Sequence, residues 1–193
     1  MSPLAQPEPP RQERPAVISL SALNAEPLGR LWLAAAEAGV LGVQIGGDGR
    51  RYAARLERRW GLRPRSEPDS LAELKRQLRQ YLAGERPAFE LALLWGPMDD
   101  FQRQVLEAAM AIPYGQVRSY GRLAASLGHE VSAARAVGRA LAANPMPIIV
   151  PCHRVVGSDG ELRGYAAPGG VATKAWLLRL EGRPVGVQSR LPW

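Results

Sequence analysis

Glycine and proline interrupt the second half of the chain so often that every helix in it must be short. Apolar residues at helical spacing predict three helices there, each with a stop signal directly behind it: residues 101–112, 120–127 and 133–143. Ser119 and Ser132 occupy the N-cap positions of the second and third helix. Two short helices joined by a tight turn that contains Gly128 are typical of a helix-turn-helix. We therefore predict a mostly helical C-terminal domain built around this motif.

The first half has the mixed pattern of a small α/β domain, a sheet with flanking helices. Its periodicity predicts a β-hairpin, two helices and one further strand, at residues 31–45, 52–60, 71–82 and 89–93 respectively. Ser70 is the expected N-cap of the second of these helices, with Glu73 three positions later. We interpret this half as a domain that supports the second half.

Four segments follow from these patterns: a Pro-rich disordered tail at residues 1–16, the N-terminal domain at 17–96, the C-terminal domain at 97–182 and a C-terminal tail at 183–193. Within the C-terminal domain, residues 147–156 form an apolar, β-rich run that Pro151 interrupts, and we expect a short strand there. Residues 174–180 predict a closing helix that ends at Gly182.

The charge balance favours a polyanionic partner. The chain carries a net charge of +7, and arginine supplies nearly all of the excess, because Lys75 and Lys174 are its only lysines. Arginine is suited to bidentate contacts with phosphate, so nucleic acid is one interpretation. The other is a compositional bias toward Arg, Ala, Gly and Pro that has no bearing on partners.

The single cysteine, Cys152, excludes an intramolecular disulfide. One cysteine with two histidines, His129 and His153, does not build a tetrahedral zinc site of the usual kind, so we expect no metal. The N-terminus lacks the apolar core of a signal peptide, and no apolar stretch approaches the roughly 18 residues of a membrane span. We expect a chain without membrane contact, located in the cytoplasm, where a free thiol stays reduced.

The third predicted helix of the second half has the composition of a DNA reader that ignores base sequence. Ala133, Ala134 and Gly138 leave one face almost flat, so a nucleic acid backbone could pass close to it. Arg135 and Arg139 lie four residues apart and therefore share a face. Small side chains reach base edges poorly, which suits recognition of shape and phosphate. The alternative is an ordinary helical hairpin, whose Ala and Gly residues serve tight helix packing.

Cys152 follows the apolar run as part of Pro151-Cys152-His153-Arg154. A thiolate is a strong nucleophile, and a neighbouring base or positive charge increases the thiolate fraction. His153 could be that base, with Glu181 orienting it, but adjacent residues on a strand point to opposite faces. The two can cooperate only if the chain turns at Pro151 or His153, or if water bridges them. The alternative is a buried structural thiol, a common state for a free cysteine.

Residues 151–156, Pro-Cys-His-Arg-Val-Val, resemble the active-site signature of the O6-alkylguanine-DNA alkyltransferases, also called methylated-DNA–protein-cysteine methyltransferases. The ordered agreement extends from about residue 101 to residue 182. It comprises the segments 112–115, 119–120, 133–138, 144–145, 164–165 and 176–182. The N-terminal half resembles the family only loosely, through Pro27-Leu28-Gly29 and the hairpin that follows.

The resemblance implies a role for each matching residue of the reaction centre. Cys152 would be the nucleophile and alkyl acceptor, activated through water by His153, with Glu181 behind that histidine. Asn144 would hold the hinge between the recognition helix and the active-site strand. Tyr120 would crowd the phosphate and help the guanine leave the stack.

The same resemblance implies contacts with DNA and with the flipped base. Arg135 would enter the duplex and fill the gap left by the flipped nucleotide. The other implied DNA contacts are Tyr120, Ser119, Ala133, Ala134 and Gly138. The implied lining of the substrate pocket is Tyr165, Pro147 and Val155. Ala166 stands where some relatives carry a serine that contacts the base, and the loop after Tyr165 is longer than in several relatives, which leaves the pocket size open.

The function implied by the resemblance is DNA repair by direct reversal of damage. One alkyl group would move irreversibly from O6-alkylguanine, or from O4-alkylthymine, in duplex DNA to Cys152. Since no side chain cleaves a thioether, the protein would act once, as a monomer and without a cofactor. The implied fold is an α/β N-terminal domain followed by a mostly α C-terminal domain, with a winged-helix-like helix-turn-helix and a short active-site strand.

Two other functions remain open at this point. One is a lesion-binding protein that marks damage without transfer, but such relatives lack the acceptor cysteine. The other is a cysteine hydrolase that uses Cys152 and His153 on esters or peptides. A hydrolase would need no DNA and would leave the helix-turn-helix unexplained.

Overall fold

The N-terminal half forms a sheet with helices beside it, in a computed structural model that describes residues 14–67 and 71–183. Its elements are β1 (Ser19–Asn24), β2 (Arg30–Ala36), β3 (Gly39–Ile45), α1 (Gly49–Trp60), β4 (Arg65–Ser66) and α2 (Ala72–Leu82). The strand order is β3-β2-β1-β4, and all pairs are antiparallel except β1 with β4. The predicted hairpin and both predicted helices are confirmed, while the expected cap Ser70 lies outside the described residues.

Strand β1 is an element that the sequence pattern does not predict. Its inward-facing positions include Ser19 and Ser21, which are 8% and 7% exposed, whereas Leu20 between them is only half-buried. Ser19 is satisfied there because its hydroxyl donates to Glu67 Oε2 at 2.7 Å. Polar residues on the buried face remove the alternation that a half-buried strand usually shows.

The predicted strand at residues 89–93 is wrong. Within the described part of the chain, its backbone pairing is limited to one bridge, between Leu93 and Val40. The side chain of Gln77 satisfies the backbone of Glu90 in the way a neighbouring strand would. It accepts from Glu90 N at 2.8 Å and donates to Glu90 O at 3.1 Å. Alternating hydrophobicity predicts an extended segment but does not reveal what satisfies its backbone.

The C-terminal half is mostly helical, as predicted. Its elements are α3 (Asp100–Met110), β5 (Arg118–Ser119), α4 (Tyr120–Ser126), α5 (Ala134–Ala142), β6 (Val155–Val156) and α6 (Val171–Leu180). Helices α4 and α5 form the predicted helix-turn-helix, and Ser119 caps α4 by accepting from Arg122 N at 3.2 Å. The predicted cap Ser132 is wrong. It lies inside the 3-10 turn Val131–Ala133, so α5 begins at Ala134 without a side-chain cap.

The apolar run at residues 147–156 is only partly a strand. Its last two residues form β6, which pairs in parallel with β5. The segment before them is a loop that ends in the 3-10 turn Cys152–Arg154. Pro151 lacks a backbone donor, which makes a continuous strand through this position unfavourable.

One apolar core connects the two halves. Tyr81 and Leu78 of α2 belong to the same cluster as Leu106, Leu123 and Leu177 of the C-terminal helices, and all five are fully buried. The N-terminal half thereby stabilises the helices that surround the turn at Cys152. Among the described residues, every helix is too short or too polar to cross a membrane.

Candidate active site around Cys152

Asn144 fixes the loop around Cys152 with both ends of its amide group. Its carbonyl oxygen accepts from Met146 N at 2.9 Å, and its nitrogen donates to Val150 O at 2.9 Å. The same nitrogen donates to Cys152 Sγ at 3.2 Å. One side chain therefore closes the loop between α5 and the thiol, and its donor favours the thiolate form.

The chain turns at Cys152, which is the condition for Cys152 and His153 to act together. Arg154 N donates to Pro151 O at 2.9 Å and closes this turn. Shortly before it, Ile148 has a φ of 79°, a conformation that costs a non-glycine residue about 1–3 kcal/mol. Ile148 is 1% exposed, so core packing holds the strained backbone in place.

Glu181 is a buried carboxylate that accepts hydrogen bonds from three other parts of the chain. Tyr81 Oη donates to its Oε1 at 2.5 Å, and His153 Nε2 lies 2.8 Å from the same oxygen. Arg154 Nε reaches both carboxylate oxygens at 3.1 and 3.0 Å, and Gly115 N donates to Oε2 at 3.1 Å. Burial alone would raise the pKa of Glu181, but the histidine, guanidinium and phenol outweigh it and lower the pKa to about 2.

The turn that ends α3 also supports this carboxylate. Gly115 adopts a φ of 73°, and a Cβ on it would lie 3.0 Å from Glu181 O, so glycine suits this position on both counts. Tyr114 Oη donates to Leu180 O at 2.9 Å, and Arg154 Nη1 donates to Ile112 O at 2.5 Å. The first bond ties the end of α6 to the segment between α3 and β5, and the second ties the turn at Cys152–Arg154 to the same segment.

His153 is held as a neutral imidazole with one unengaged nitrogen. Burial lowers its pKa, and the Arg154 and Lys174 charges lower it further, against the opposite effect of Glu181. Since Glu181 is ionised, Nε2 carries the proton that it donates to the carboxylate, an assignment that follows from the hydrogen-bond network. Nδ1 is then an acceptor, and it is buried without a partner among the described residues. This is the form of histidine that can take up a proton.

Cys152 is buried, and its surroundings act on the thiol in opposite directions. Burial raises the pKa of Cys152, whereas the Asn144 donor and the Lys174 charge lower it. Lys174 is itself 1% exposed, and burial lowers its pKa to about 8, so it remains mostly charged at neutral pH. Its Nζ donates to Tyr120 Oη at 3.2 Å and to Val155 O at 2.5 Å. A fixed cation therefore lies close to the thiol.

The residues predicted to contact DNA lie at the start of α4, in the 3-10 turn before α5 and along α5. Arg135 is exposed, while Ala133, Ala134 and Gly138 are half-buried. The Tyr120 ring lies 3.8 Å from the position that a Cβ on Gly138 would occupy. Ser119, by contrast, uses its hydroxyl to cap α4.

A cavity of about 540 Å³ opens beside this surface and reaches Cys152. We call it the reaction cavity; its lining includes Tyr120, Arg135, Gly138, Cys152, Tyr165 and Ala166. Of the predicted pocket residues, Tyr165 lines this cavity, and Pro147 lines a second cavity next to it. Val155 is fully buried, and within the described residues it faces neither cavity; it contributes only its carbonyl oxygen, as the acceptor for Lys174.

Three residues of the site are not found by reasoning from the sequence: Tyr81, Arg154 and Lys174. Tyr81 lies on α2 of the N-terminal half, which carries no local sign of a role at Cys152. Lys174 could have been noticed, because it is one of two lysines and falls within a helix that is otherwise mostly apolar. A lysine is rarely buried in such a helix unless its charge interacts with another group.

In the parts of the chain that the structure describes, no group of three or more His, Cys, Asp and Glu side chains is placed to hold a metal ion. Cys152 instead accepts from Asn144, His153 donates to Glu181, and Glu181 also accepts from Tyr81 and Arg154.

Comparisons with known proteins cover both halves of the chain. Residues 100–183 match the family model described as 6-O-methylguanine DNA methyltransferase, DNA binding domain. Residues 21–94 match that of the 6-O-methylguanine DNA methyltransferase, ribonuclease-like domain. A methylated-DNA–protein-cysteine methyltransferase of Salmonella typhimurium is 42% identical over 167 residues, which are 82% of this chain and 92% of the relative.

Solved structures show the same likeness in three dimensions. The O6-methylguanine methyltransferase of Mycobacterium tuberculosis superposes with a TM-score of 0.73 at 34% identity, covering 89% of this chain and 97% of that one. The M. tuberculosis OGT in complex with DNA gives a TM-score of 0.70 at 37% identity, covering 84% and 92%. The predicted fold class is confirmed by these matches. With the turn at Cys152 and the sequence likeness along both halves, they establish that the chain belongs to the O6-methylguanine DNA methyltransferase family.

Proposed function

We propose that this protein repairs DNA by moving an alkyl group from O6-alkylguanine to Cys152 in a single irreversible step. The observation that carries the proposal is a thiol at the end of a cavity beside the helix-turn-helix, next to a neutral histidine that is anchored by a buried carboxylate. The family membership of the chain and the names of its relatives support the same reaction.

The chemistry follows from the two nitrogens of His153. Nε2 is fixed by Glu181 at 2.8 Å, so Nδ1 is the nitrogen left to accept the Cys152 proton, through a water molecule. The sulfur then attacks the alkyl carbon: the C–S bond forms as the C–O6 bond breaks. The bonding electrons go to O6, and guanine takes up one proton to become the normal base. Lys174 and Asn144 stabilise the charge on sulfur before attack.

Access to the base requires that it leave the stack. The thiol is buried at the end of the reaction cavity, and a paired base cannot reach it. Flipping costs a few kcal/mol and costs least for a poorly paired, damaged base. Arg135 is an exposed residue of α5 that lines this cavity, so it can enter the duplex, and the small Ala134 and Gly138 let the backbone approach. O4-alkylthymine presents the same exocyclic alkyl ether on a smaller base, so we expect it to react as well.

The product is a thioether at Cys152, which neither His153 nor any other residue around it can cleave. The protein is consumed by the reaction, and one chain supplies every group that the reaction uses, so we expect it to act as a monomer. We therefore expect no turnover, because the thioether is stable and not because the product leaves slowly.

With a molar excess of duplex that carries O6-methylguanine, repaired lesions should reach a plateau at one per protein molecule. Quenched samples analysed by chromatography of the digested DNA would measure the plateau. Cys152→Ala, which removes only the sulfur atom, should repair none while still binding the duplex. A steady increase beyond one equivalent would contradict the thioether product, since a regenerated thiol would be a catalyst.

A further inference from the structure

A second cavity lies on the other side of Cys152, between the two halves of the chain. It has a volume of about 470 Å³, within the range of small-molecule sites. We call it the N-terminal cavity; it is lined by β3 and α1 on one side and by the loop at residues 143–147 on the other. Neither the attack of Cys152 on the alkyl carbon nor the flipping of the base uses this cavity.

The two cavities share a wall. Cys152, Tyr165, Ala166, Leu141 and Ala142 line both of them. A base held in the reaction cavity places its alkyl carbon at Cys152 Sγ, because the C–S bond must form there. Any atoms beyond that carbon extend sideways from the line of attack, and a long substituent must be accommodated somewhere. The N-terminal cavity begins at the residue where such a substituent starts.

The far side of the N-terminal cavity carries polar groups with unused hydrogen-bonding capacity. Tyr52 is 3% exposed, and its hydroxyl has no partner among the described residues. Burial raises the pKa of Tyr52, so this hydroxyl stays protonated and can donate. Arg59 is half-buried, donates from Nη2 to Trp95 O at 3.1 Å, and leaves its Nε buried without a partner in the described chain.

The charge of this lining is positive and uncompensated. Arg55 stands at the exposed edge, bonded to the neutral Gln44 and lying over the Tyr52 ring at 5.2 Å. Neither Arg55 nor Arg59 forms an ion pair with a carboxylate of the described residues, and no acidic side chain lines the cavity. A buried donor and an unpaired guanidinium are suited to an anion, above all a carboxylate.

We propose that the N-terminal cavity binds the carboxylate end of long O6-carboxyalkyl substituents while their first carbon is transferred to Cys152. The inference rests on the proposed alkyl transfer and adds a substrate class to it. The bonds that form and break are the same: sulfur gains the carboxyalkyl carbon, guanine O6 keeps the electron pair and the base is protonated. The carboxylate stays intact, held by Arg59 and the Tyr52 hydroxyl, and the product is an S-carboxyalkyl cysteine.

The test compares duplexes that differ only in the end of the substituent. The intact protein is given O6-methylguanine, O6-butylguanine or O6-(3-carboxypropyl)guanine, and second-order rate constants for transfer are measured at low ionic strength. We expect the carboxypropyl group to react about tenfold faster than the butyl group, the effect of one charge-assisted hydrogen bond. Arg59→Gln should remove this preference, Arg59→Lys should retain part of it and Tyr52→Phe should reduce it, with the methyl rate unchanged in each.

Arg58→Gln is the matched control, since it removes the same charge from the adjacent, exposed position of α1. It should leave both the carboxypropyl preference and the methyl rate as they are. Equal rates for butyl and carboxypropyl in a protein that transfers methyl normally would overturn the inference, as would a preference that survives Arg59→Gln. Absence of transfer from all three duplexes would overturn the proposed function itself, so the two failures are distinguishable.

Discussion

Replacing Glu181 by alanine is expected to lower the free energy of unfolding by about 3–5 kcal/mol, the cost of breaking a buried ion pair from one side. Glu181 has no exposed side-chain surface, and Arg154, 8% exposed, donates to it from Nη2 at 3.0 Å. Without the carboxylate, a guanidinium stays buried with Ile112 O as its remaining acceptor, and Tyr81 loses its partner. Urea unfolding followed by tryptophan fluorescence would measure the change.

Glu130→Ala is the control for this experiment, because Glu130 is exposed in the turn of the helix-turn-helix. A surface substitution of this kind should change the free energy of unfolding by no more than about 0.5 kcal/mol. If Glu181→Ala unfolds at the same urea concentration as Glu130→Ala, the network around Glu181 does not stabilise the fold as described.

Acid should produce the same loss in the unmodified protein. The pKa of Glu181 is lowered from an ordinary 4.5 to about 2 in the folded chain, so the unfolded chain binds its proton first. The contribution of Glu181 to stability is therefore complete above about pH 4.5 and declines as the pH falls toward 2. Glu181→Gln should show a smaller loss of stability between pH 6 and pH 3 than the unmodified chain does.

Replacing Arg135 by alanine is expected to slow repair of duplex DNA by about 10- to 100-fold, with little effect on a free substrate base. The exposed side chain lines the mouth of the reaction cavity, where it can fill the gap in the stack. If Arg135 fills that gap as proposed, its loss removes part of the few kcal/mol that offset the cost of flipping. Free O6-benzylguanine needs no flipping, so its reaction with Cys152 should continue at nearly the unmodified rate. The quantity to measure is the ratio of the two rate constants.

Arg139→Ala separates flipping from general attraction to phosphate. Arg139 is also exposed on α5, one turn further along, and lies outside the lining of the reaction cavity. Its loss should weaken duplex binding through charge alone and reduce the salt dependence of binding by about one phosphate contact. Equal slowing of duplex and free-base reactions by Arg135→Ala, or equal effects of the two variants, would contradict the role of Arg135 in flipping.

The positions of the helices could be predicted from the sequence, because apolar periodicity and local stop signals determine them. Ser119 illustrates this, since an N-cap depends only on its own turn. Ser132 has the same chemistry directly before a good helical pattern, but the chain makes a 3-10 turn there and the helix begins later. A cap is a local feature, whereas the start of α5 depends on how it packs against α4.

The site was only partly predictable for the same reason. The segment around Cys152 points to a reactive thiol through its family resemblance, and the structure brings Asn144, His153 and Glu181 together with it. Tyr81 and Arg154 join them only through tertiary packing. Tyr81 and Arg154 are separated from Glu181 by 100 and 27 residues along the chain. Periodicity within one helix or strand does not predict contacts between residues so far apart in sequence.

The central claim is that Cys152 receives the alkyl group, and intact-protein mass spectrometry tests it most directly. After incubation with a duplex that carries O6-methylguanine, each protein molecule should gain about 14 Da, the mass of a methyl group replacing a hydrogen in a covalent thioether. Peptide mapping should place the gain on Cys152, and Cys152→Ala should show none. An unchanged mass, or a methyl group on any other residue, would contradict the account.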